Sequence, residues 1–370
     1  MRLWWQAFTT TLSGLLQKPM WMMLLCSLCL MSTVYLNHSV WDLPVAVIDM
    51  DHSPASRMLT RQLDATPKIT NVAYSSLPQA LSDLGLRKLF AVIILPQDME
   101  QKMLAGKEVT LPVYGDATNR LANGQIQQDV MAAWQQVLGR YNLKLMMMAG
   151  FSERQASVVL TPFIGQAIDV FNPGISFAAI VFPGLLVMLL QHSLLIAGVR
   201  VSMTLRSQGP LPLPVTLGTL SALIPIWLFL SIVLFALWPW VLGYRQTASI
   251  PELLMLTFPF QLAVLGLAKL VTECLREVER IYFSLSFITT PVYYLSGTLW
   301  PVQSMPDWVR GISMMLPSTW GTRMIAGVNQ MGLPLSEVSQ DVVMLLIMAV
   351  VYTVLGMVVG KLRDYLGRRH

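Results

Sequence analysis

"TPVYYLSGTLWPVQSMPDWVRGISMMLPSTW", residues 290–320, opens as a membrane helix and then stops being one. Tyr293, Tyr294 and Leu295 run into Ser296 and Gly297, and Trp300-Pro301, Met305-Pro306, Trp308 and Pro317 follow within a few turns. Prolines at that density prevent a continuous helix, because each lacks an N–H and clashes with the turn before it. The stretch is nonetheless too apolar for a solvated loop. Broken backbone at membrane depth must be covered by protein or line a wet cavity, since lipid offers it no hydrogen bonds. The segment therefore reads as a half-submerged hairpin: a span reaching one face near Ser296-Gly297, then a short amphipathic return over 303–325. Trp300, Trp308 and Trp320 suit the interface, where one end of each ring is wet.

The composition agrees with a membrane setting. Of 370 residues, 54% are hydrophobic and only 12% charged, against about 25% charged in soluble proteins. The net charge of +5 is small, and no Lys/Arg cluster interleaves with aromatics on a soluble face, so nucleic acid is not an expected partner. Cys26, Cys29 and Cys274 all lie in or beside apolar runs, which leaves the long polar segment without a disulfide framework or a zinc site. His38, His52, His192 and His370 fall at different depths or in different compartments. No Ser/His/Asp or Cys/His set shares a site, and that argues against a membrane-embedded enzyme.

A helix needs about 20 mostly apolar residues to cross the hydrocarbon. Six stretches qualify: 20–40, 175–199, 215–242, 252–272, 281–299 and 341–361. Arg2, Lys18, Arg200, Arg206, Arg276, Arg280, Lys361, Arg363, Arg368 and Arg369 fall on one side of this alternation, and only Arg245, Arg310 and Arg323 mark the short connections on the other. The positive-inside rule then places both termini in the cytoplasm and residues 41–172 outside it. No small-x-small cleavage site follows the first apolar run, which is expected to be an uncleaved anchor. Ahead of it, residues 1–19 place Leu3, Phe8, Leu12, Leu15 and Leu16 at helical spacing, as in a helix lying in the interface.

The outer segment alternates strand and helix patterns. "PVAVIDMD" (44–51) has strand length, and Ser53-Pro54 supplies an N-cap and a first-turn proline. Further strands are expected near 68–74, 89–95 and 109–115, and helices near 77–87, 97–105 and 119–148. The expected fold class is an α-helical membrane protein of six transmembrane helices, with a mixed α/β extracytoplasmic domain inserted between spans one and two.

"VAVIDMDHSPASRMLTRQL" with "AVIILPQDMEQKMLAGKEVTLPVYGDATN", the hairpin quoted above, and the order of one span, a large outer domain and five spans together resemble one family. It is that of the permease subunits of bacterial type-2 ABC exporters, in the branch with a large periplasmic domain, and the resemblance covers nearly the whole chain. It implies an inner-membrane dimer of such subunits, identical or paired, on two cytoplasmic ABC ATPases. In many such systems a periplasmic adaptor and an outer-membrane channel continue the path. No G-x-x-x-x-G-K-[ST] loop is present, so ATP and Mg would be bound by the partner subunit and the chain itself needs no cofactor.

Members of the family carry an acidic-basic motif ending in Gly-Thr just after span two. Here the stretch reads "VRVSMTLRSQGPLPLPVTL": Arg200 and Arg206 remain, the acids do not, and Gly209-Pro210 stands at the end. ATPase coupling is expected at these residues and at "ECLREVER" (273–280), where Glu273, Arg276, Glu277 and Arg280 restore acids and bases. A transport path or outer gate is expected at Gln191, His192, Gln261, Tyr293, Tyr294, Ser296, Gly297 and Trp300. Polar groups at lipid depth usually face the bundle interior, so helix–helix hydrogen bonding is the other role for Gln191, His192 and Gln261. An aromatic belt is the other role for Tyr293, Tyr294 and Trp300.

Asp49, Asp51 and Asp116, at strand ends, are read as turn and helix caps ahead of a cation site. Lys269 is expected to snorkel. Gly356 and Gly360 form a G-x-x-x-G suited to close packing. The Met-rich "LKLMMMAG" (143–150) is read as a helix packed on its own sheet ahead of an adaptable contact surface. The function expected is export of an amphipathic or hydrophobic substrate, drug-like or lipid-like. The alternatives are a non-transporting scaffold or an envelope sensor whose outer domain binds a ligand or partner.

Overall fold

The computed structural model describes residues 1–34, 42–66, 68–160, 177–243 and 246–367. The last part of the first expected span, His38, Arg245, Arg368, Arg369 and His370 lie outside the described residues. The chain divides into two compact units, Ser39–Ile168 and the remainder, Met1–His38 with Asp169–His370.

In the first unit the expected alternation is present. Its elements are β1 (Leu43–Asp49), α3 (Pro54–Asp64), β2 (Ile69–Ala73), α4 (Leu77–Gly85), β3 (Ala91–Leu95), α5 (Met99–Leu104), β4 (Val113–Gly115), α6 (Arg120–Met148) and α7 (Glu153–Leu160). The sheet runs β2-β1-β3-β4, with β1 parallel to both neighbours and β4 antiparallel to β3. It is mixed, and β4 is shorter than expected because Pro112, directly before it, has no N–H to give the ladder. Successive side chains on a strand face opposite ways, and both faces here are covered. Val45, Val47, Ile93 and Leu95 join Leu59, Met99, Ile126 and Val130 on one side. Ala46, Ile48, Val92 and Ile94 join Ala80 on the other. Three layers follow from strands that are apolar on both faces.

Helix starts in this unit are set by short polar side chains. Ser53 Oγ accepts the Ser56 N–H at 3.1 Å, with Pro54 behind it. Helix α5 is capped from a distance: Asp98, just before it, sits at φ 61 and makes no cap, so Asp51 accepts the Met99 and Glu100 N–H groups at 2.9 and 3.1 Å. Asp49 accepts the Asp51 and His52 N–H groups and the Ser56 hydroxyl, and Asp116 accepts Thr118 N–H and Oγ1. These carboxylates are caps, and among the described residues no group of His, Cys, Asp or Glu is gathered to hold a metal. The Met-rich run departs from its expected place. The buried stripe of α6 ends at Tyr141, and beyond it Met147 and Met148 are exposed, because the helix outlasts the short sheet it packs on.

The second unit is helical. Its elements are α1 (Arg2–Gln17), α2 (Met23–Val34), α8 (Phe177–Ser207), α9 (Leu213–Val241, with a wide π turn at Val233–Leu237), α10 (Ile250–Leu275), α11 (Val278–Leu295), α12 (Asp307–Met314), α13 (Pro317–Asn329) and α14 (Ser339–Gly367). Four of these helices, at Ala179–Ser207, Leu213–Val241, Ile250–Leu275 and Ser339–Leu366, are long and apolar enough to cross a membrane. Helix α10 starts on a Ser249–Glu252 capping box with Pro251 in the first turn. Its contact with α14 is built from glycines. A Cβ on Gly266 would lie 2.7 Å from the Ala349 carbonyl oxygen, one on Gly356 3.0 Å from Leu270 N, and one on Gly360 3.1 Å from the Glu273 carboxyl. The G-x-x-x-G of α14 is a close helix contact.

Candidate functional site

The return over 303–325 is two helices with different fates. Helix α12 is the amphipathic, largely exposed one, while α13 is buried along most of its length. Gly321 is pressed against Phe260, where a Cβ would come within 2.7 Å of the ring. Side chains close the backbone that the prolines leave open. Ser313 Oγ donates to the Leu295 carbonyl at 2.7 Å, Thr319 Oγ1 to that of Ser313 at 2.7 Å, and the Trp320 indole N–H to that of Met314 at 2.8 Å. Tyr352 OH reaches the Met315 carbonyl. Trp320 is therefore a buried structural residue and not an interface ring; Trp300 and Trp308 are exposed. Arg323 lies over the Trp320 ring at 4.7 Å and pairs with the buried Asp341 at the start of α14. That pair fastens the hairpin to the last helix.

The residues expected at an outer gate mostly build this turn. Ser296 Oγ bonds the Tyr293 carbonyl at 2.7 Å, and Gly297 sits at φ 90, where a side chain would be strained. Tyr293 OH donates to the Val181 carbonyl of α8 at 3.2 Å, and its ring meets exposed Tyr294 edge-on at 6.2 Å. The Trp300 indole N–H turns back to the Ser304 carbonyl at 3.3 Å.

Within the bundle, His192 Nδ1 and Thr289 Oγ1 lie 2.6 Å apart and join α8 to α11. Gln191 and Gln261 are buried, and their Oε1 atoms meet no hydrogen-bond partner among the described residues. Gln261 also lines a mainly apolar cleft of about 840 Å³ between α8, α9, α10 and α14.

At the other end of the same helices three of the expected coupling residues, Arg206, Glu273 and Arg276, meet. The Glu273 side chain is only 5% exposed and is ringed by cations, with Lys269 Nζ at 2.7 Å, Arg276 Nη2 at 3.7 Å and Arg206 Nε at 3.8 Å. Arg276 continues to Asp364 at 2.8 Å and to the Gly360 carbonyl at 3.2 Å. Arg363 donates to the carbonyls of Glu273 and Cys274 at 3.3 and 2.6 Å. One buried carboxylate thus ties α8, α10 and α14 together. Lys269, expected to snorkel, is paired with Glu273 one turn further along the helix, and its side chain is 30% exposed. Arg200 is not in this ring. It donates to the Lys18 and Gly14 carbonyls at 2.6 and 3.3 Å and caps the end of α1, whose Leu15 carbonyl also takes the Trp21 indole N–H at 3.1 Å. Helix α1 then lies along α9, so close that a Cβ on Gly218 would strike the Trp4 carbonyl. Gly209, at φ 70, and Pro210 make the turn out of α8. Glu277 and Arg280 form a separate exposed pair at 2.7 Å, of a kind that contributes little.

Sequence reading missed Lys269, Arg363 and Asp364 as members of this ring. The four-residue spacing of Lys269 and Glu273 was the available signal; the two on α14 are set by tertiary contact alone.

The profile of the family described as "ABC-2 family transporter protein" matches residues 20–358. The chain belongs to that family, a class of transporter membrane components that work with a cytoplasmic ABC ATPase. No curated protein matches it.

Proposed function

We propose that this protein is the inner-membrane permease subunit of an ATP-driven exporter, with six spans, both termini cytoplasmic and the α/β unit outside the cytoplasm. Helices α2 and α11 are the first and fifth spans. The substrate class is amphipathic or hydrophobic, and a second permease copy or paralogue completes the path. ATP and Mg are bound by the partner ATPase, where they supply the driving hydrolysis.

The observation that carries this reading, beside the family, is the Glu273 ring. It fastens the ends of α8, α10 and α14 beside the loop where the family's coupling motif falls. The acid that Arg206 lacks in its own loop comes from α10, so the altered loop still offers a stiff, charged surface for an ATPase to push. ATPase closure moves this surface and α1, the paired bundles rearrange, and substrate leaves near the hairpin. The test is to tag the chain at its C-terminus, extract it gently from its native host and identify its companions. Recovery of an ATPase with a phosphate-binding loop, lost in Arg206→Glu and regained in Arg206→Glu/Glu273→Arg, supports the reading. Absence of any ATPase after cross-linking in intact cells overturns it in favour of a scaffold or sensor.

A further inference from the structure

We infer that the apolar cleft between α8, α9, α10 and α14 holds one anionic phospholipid of the surrounding bilayer, its acyl chains on the cleft wall and its phosphate at the Lys269 end. The cleft measures about 840 Å³, and Leu205, Leu220, Leu262, Val350 and Val354 are among the side chains on its wall. Of these, Leu220, Val350 and Val354 are exposed, and all four lining helices have the length and hydropathy of membrane spans. The cleft therefore opens sideways, to acyl chains and not to water.

Its two ends differ in charge. Lys269 lines the cleft and belongs to a cluster of four cations, with Arg206, Arg276 and Arg363, around two carboxylates, Glu273 and Asp364. That excess of positive charge at one end of an apolar slot matches a phosphate above acyl chains. Basic pockets between transmembrane helices are where anionic headgroups are held. A zwitterionic lipid brings an ammonium that the cluster repels. A second copy fits less well, because a two-fold axis along the membrane normal sets equal depths against each other and brings one cationic cluster to the other.

This inference does not depend on transport or on an ATPase. The test is native mass spectrometry of the full chain, extracted in mild detergent and exchanged into micelles carrying equal phosphatidylglycerol and phosphatidylethanolamine. The parent is expected to retain one phosphatidylglycerol per chain in preference. Lys269→Gln lowers that preference about fivefold, the effect of one basic residue beside an anionic lipid, and Lys269→Arg keeps it. Val350→Trp, at a wall position that is 64% exposed, removes the retained lipid without altering any charge. Equal retention of both lipids by the parent, or undiminished retention in Val350→Trp, overturns the inference. So does efficient disulfide cross-linking of Val354→Cys between two copies, which would assign the cleft to a protein interface.

Discussion

Glu273→Gln is the substitution that tests most of the architecture at once. Gln keeps the shape of Glu and one acceptor oxygen, so the change is almost purely electrostatic. The lost carboxylate is 5% exposed and has cations at 2.7, 3.7 and 3.8 Å. Removing one member of a buried ion pair costs about 3–5 kcal/mol, because the other is left uncompensated. The partners here are 30%, 31% and 24% exposed, so water takes up part of their charge, and the expected cost falls to about 2 kcal/mol. The measurement is reversible unfolding in mixed micelles, run as a double-mutant cycle with Lys269→Gln. A coupling energy of about 1 kcal/mol is expected from groups in contact. Gly360→Ala adds a geometric check: its Cβ would press on the Glu273 carboxyl at 3.1 Å, and that penalty should shrink when Glu273 is shortened to Ala. A Glu273→Gln protein within 0.5 kcal/mol of the parent, the range of an ordinary surface change, would refute the ring as the tie between α8, α10 and α14.

Further expectations follow from single contacts. Gly266→Ala, with its Cβ 2.7 Å from the Ala349 carbonyl oxygen, should cost about 1–3 kcal/mol in the same assay, while Gly311→Ala, with open space around it, should be neutral or stabilising. Asp51→Ala removes the cap of α5 and should cost about 1 kcal/mol, seen as faster hydrogen exchange at Met99 and Glu100. Thr289→Val leaves the partly buried His192 ring nitrogen without its 2.6 Å partner and should cost about 1 kcal/mol. The Tyr141 phenol is pushed up to about 12, first by burial and then by its hydrogen bond to Glu100. A raised phenol keeps its proton in the folded state after the unfolded chain has lost it. Its contribution is thus whole below pH about 10 and is lost as pH climbs towards 12. The 295 nm absorbance difference between the parent and Tyr141→Phe should rise near pH 12, and a rise near 10 would contradict the burial argument.

Local pattern carried the α/β unit a long way. Alternation, Ser53-Pro54 and runs of strand length located the four strands and the helices α3 to α6, though not α7, because period-2 and period-3.6 burial leaves a direct trace in residue order. It failed where an element outlasts its partner. The Met-rich turns of α6 follow the helical pattern, yet the sheet beneath them has ended. In the bundle, hydropathy marked the four helices long and apolar enough to cross a membrane, and proline density marked the break after Leu295. Pattern did not separate exposed α12 from buried α13, since both are short and mix polar with apolar residues and only packing against Phe260 and Asp341 distinguishes them.

Of the candidate sites, residue type was legible and grouping was not. Arg206 and the pair Glu273 and Arg276 were expected in two separate coupling segments, the loop after span two and residues 273–280. That they share one buried carboxylate, with Lys269, Arg363 and Asp364 added, depends on three helix ends arriving at one point. Gln261 was marked as a polar group at lipid depth, but the apolar cleft beside it is made by four helices. What the order of residues determined alone is whatever depends on chemistry repeated along one helix or strand: membrane residence, the four long apolar helices, local caps such as Ser53 and the turn at Gly297. What tertiary structure alone decided is whatever needs groups far apart in the chain to meet, namely the glycine seam of α10 and α14, the ring around Glu273 and the cleft. Coulomb attraction and van der Waals contact act over a few ångströms of space, and sequence separation carries no information about that distance.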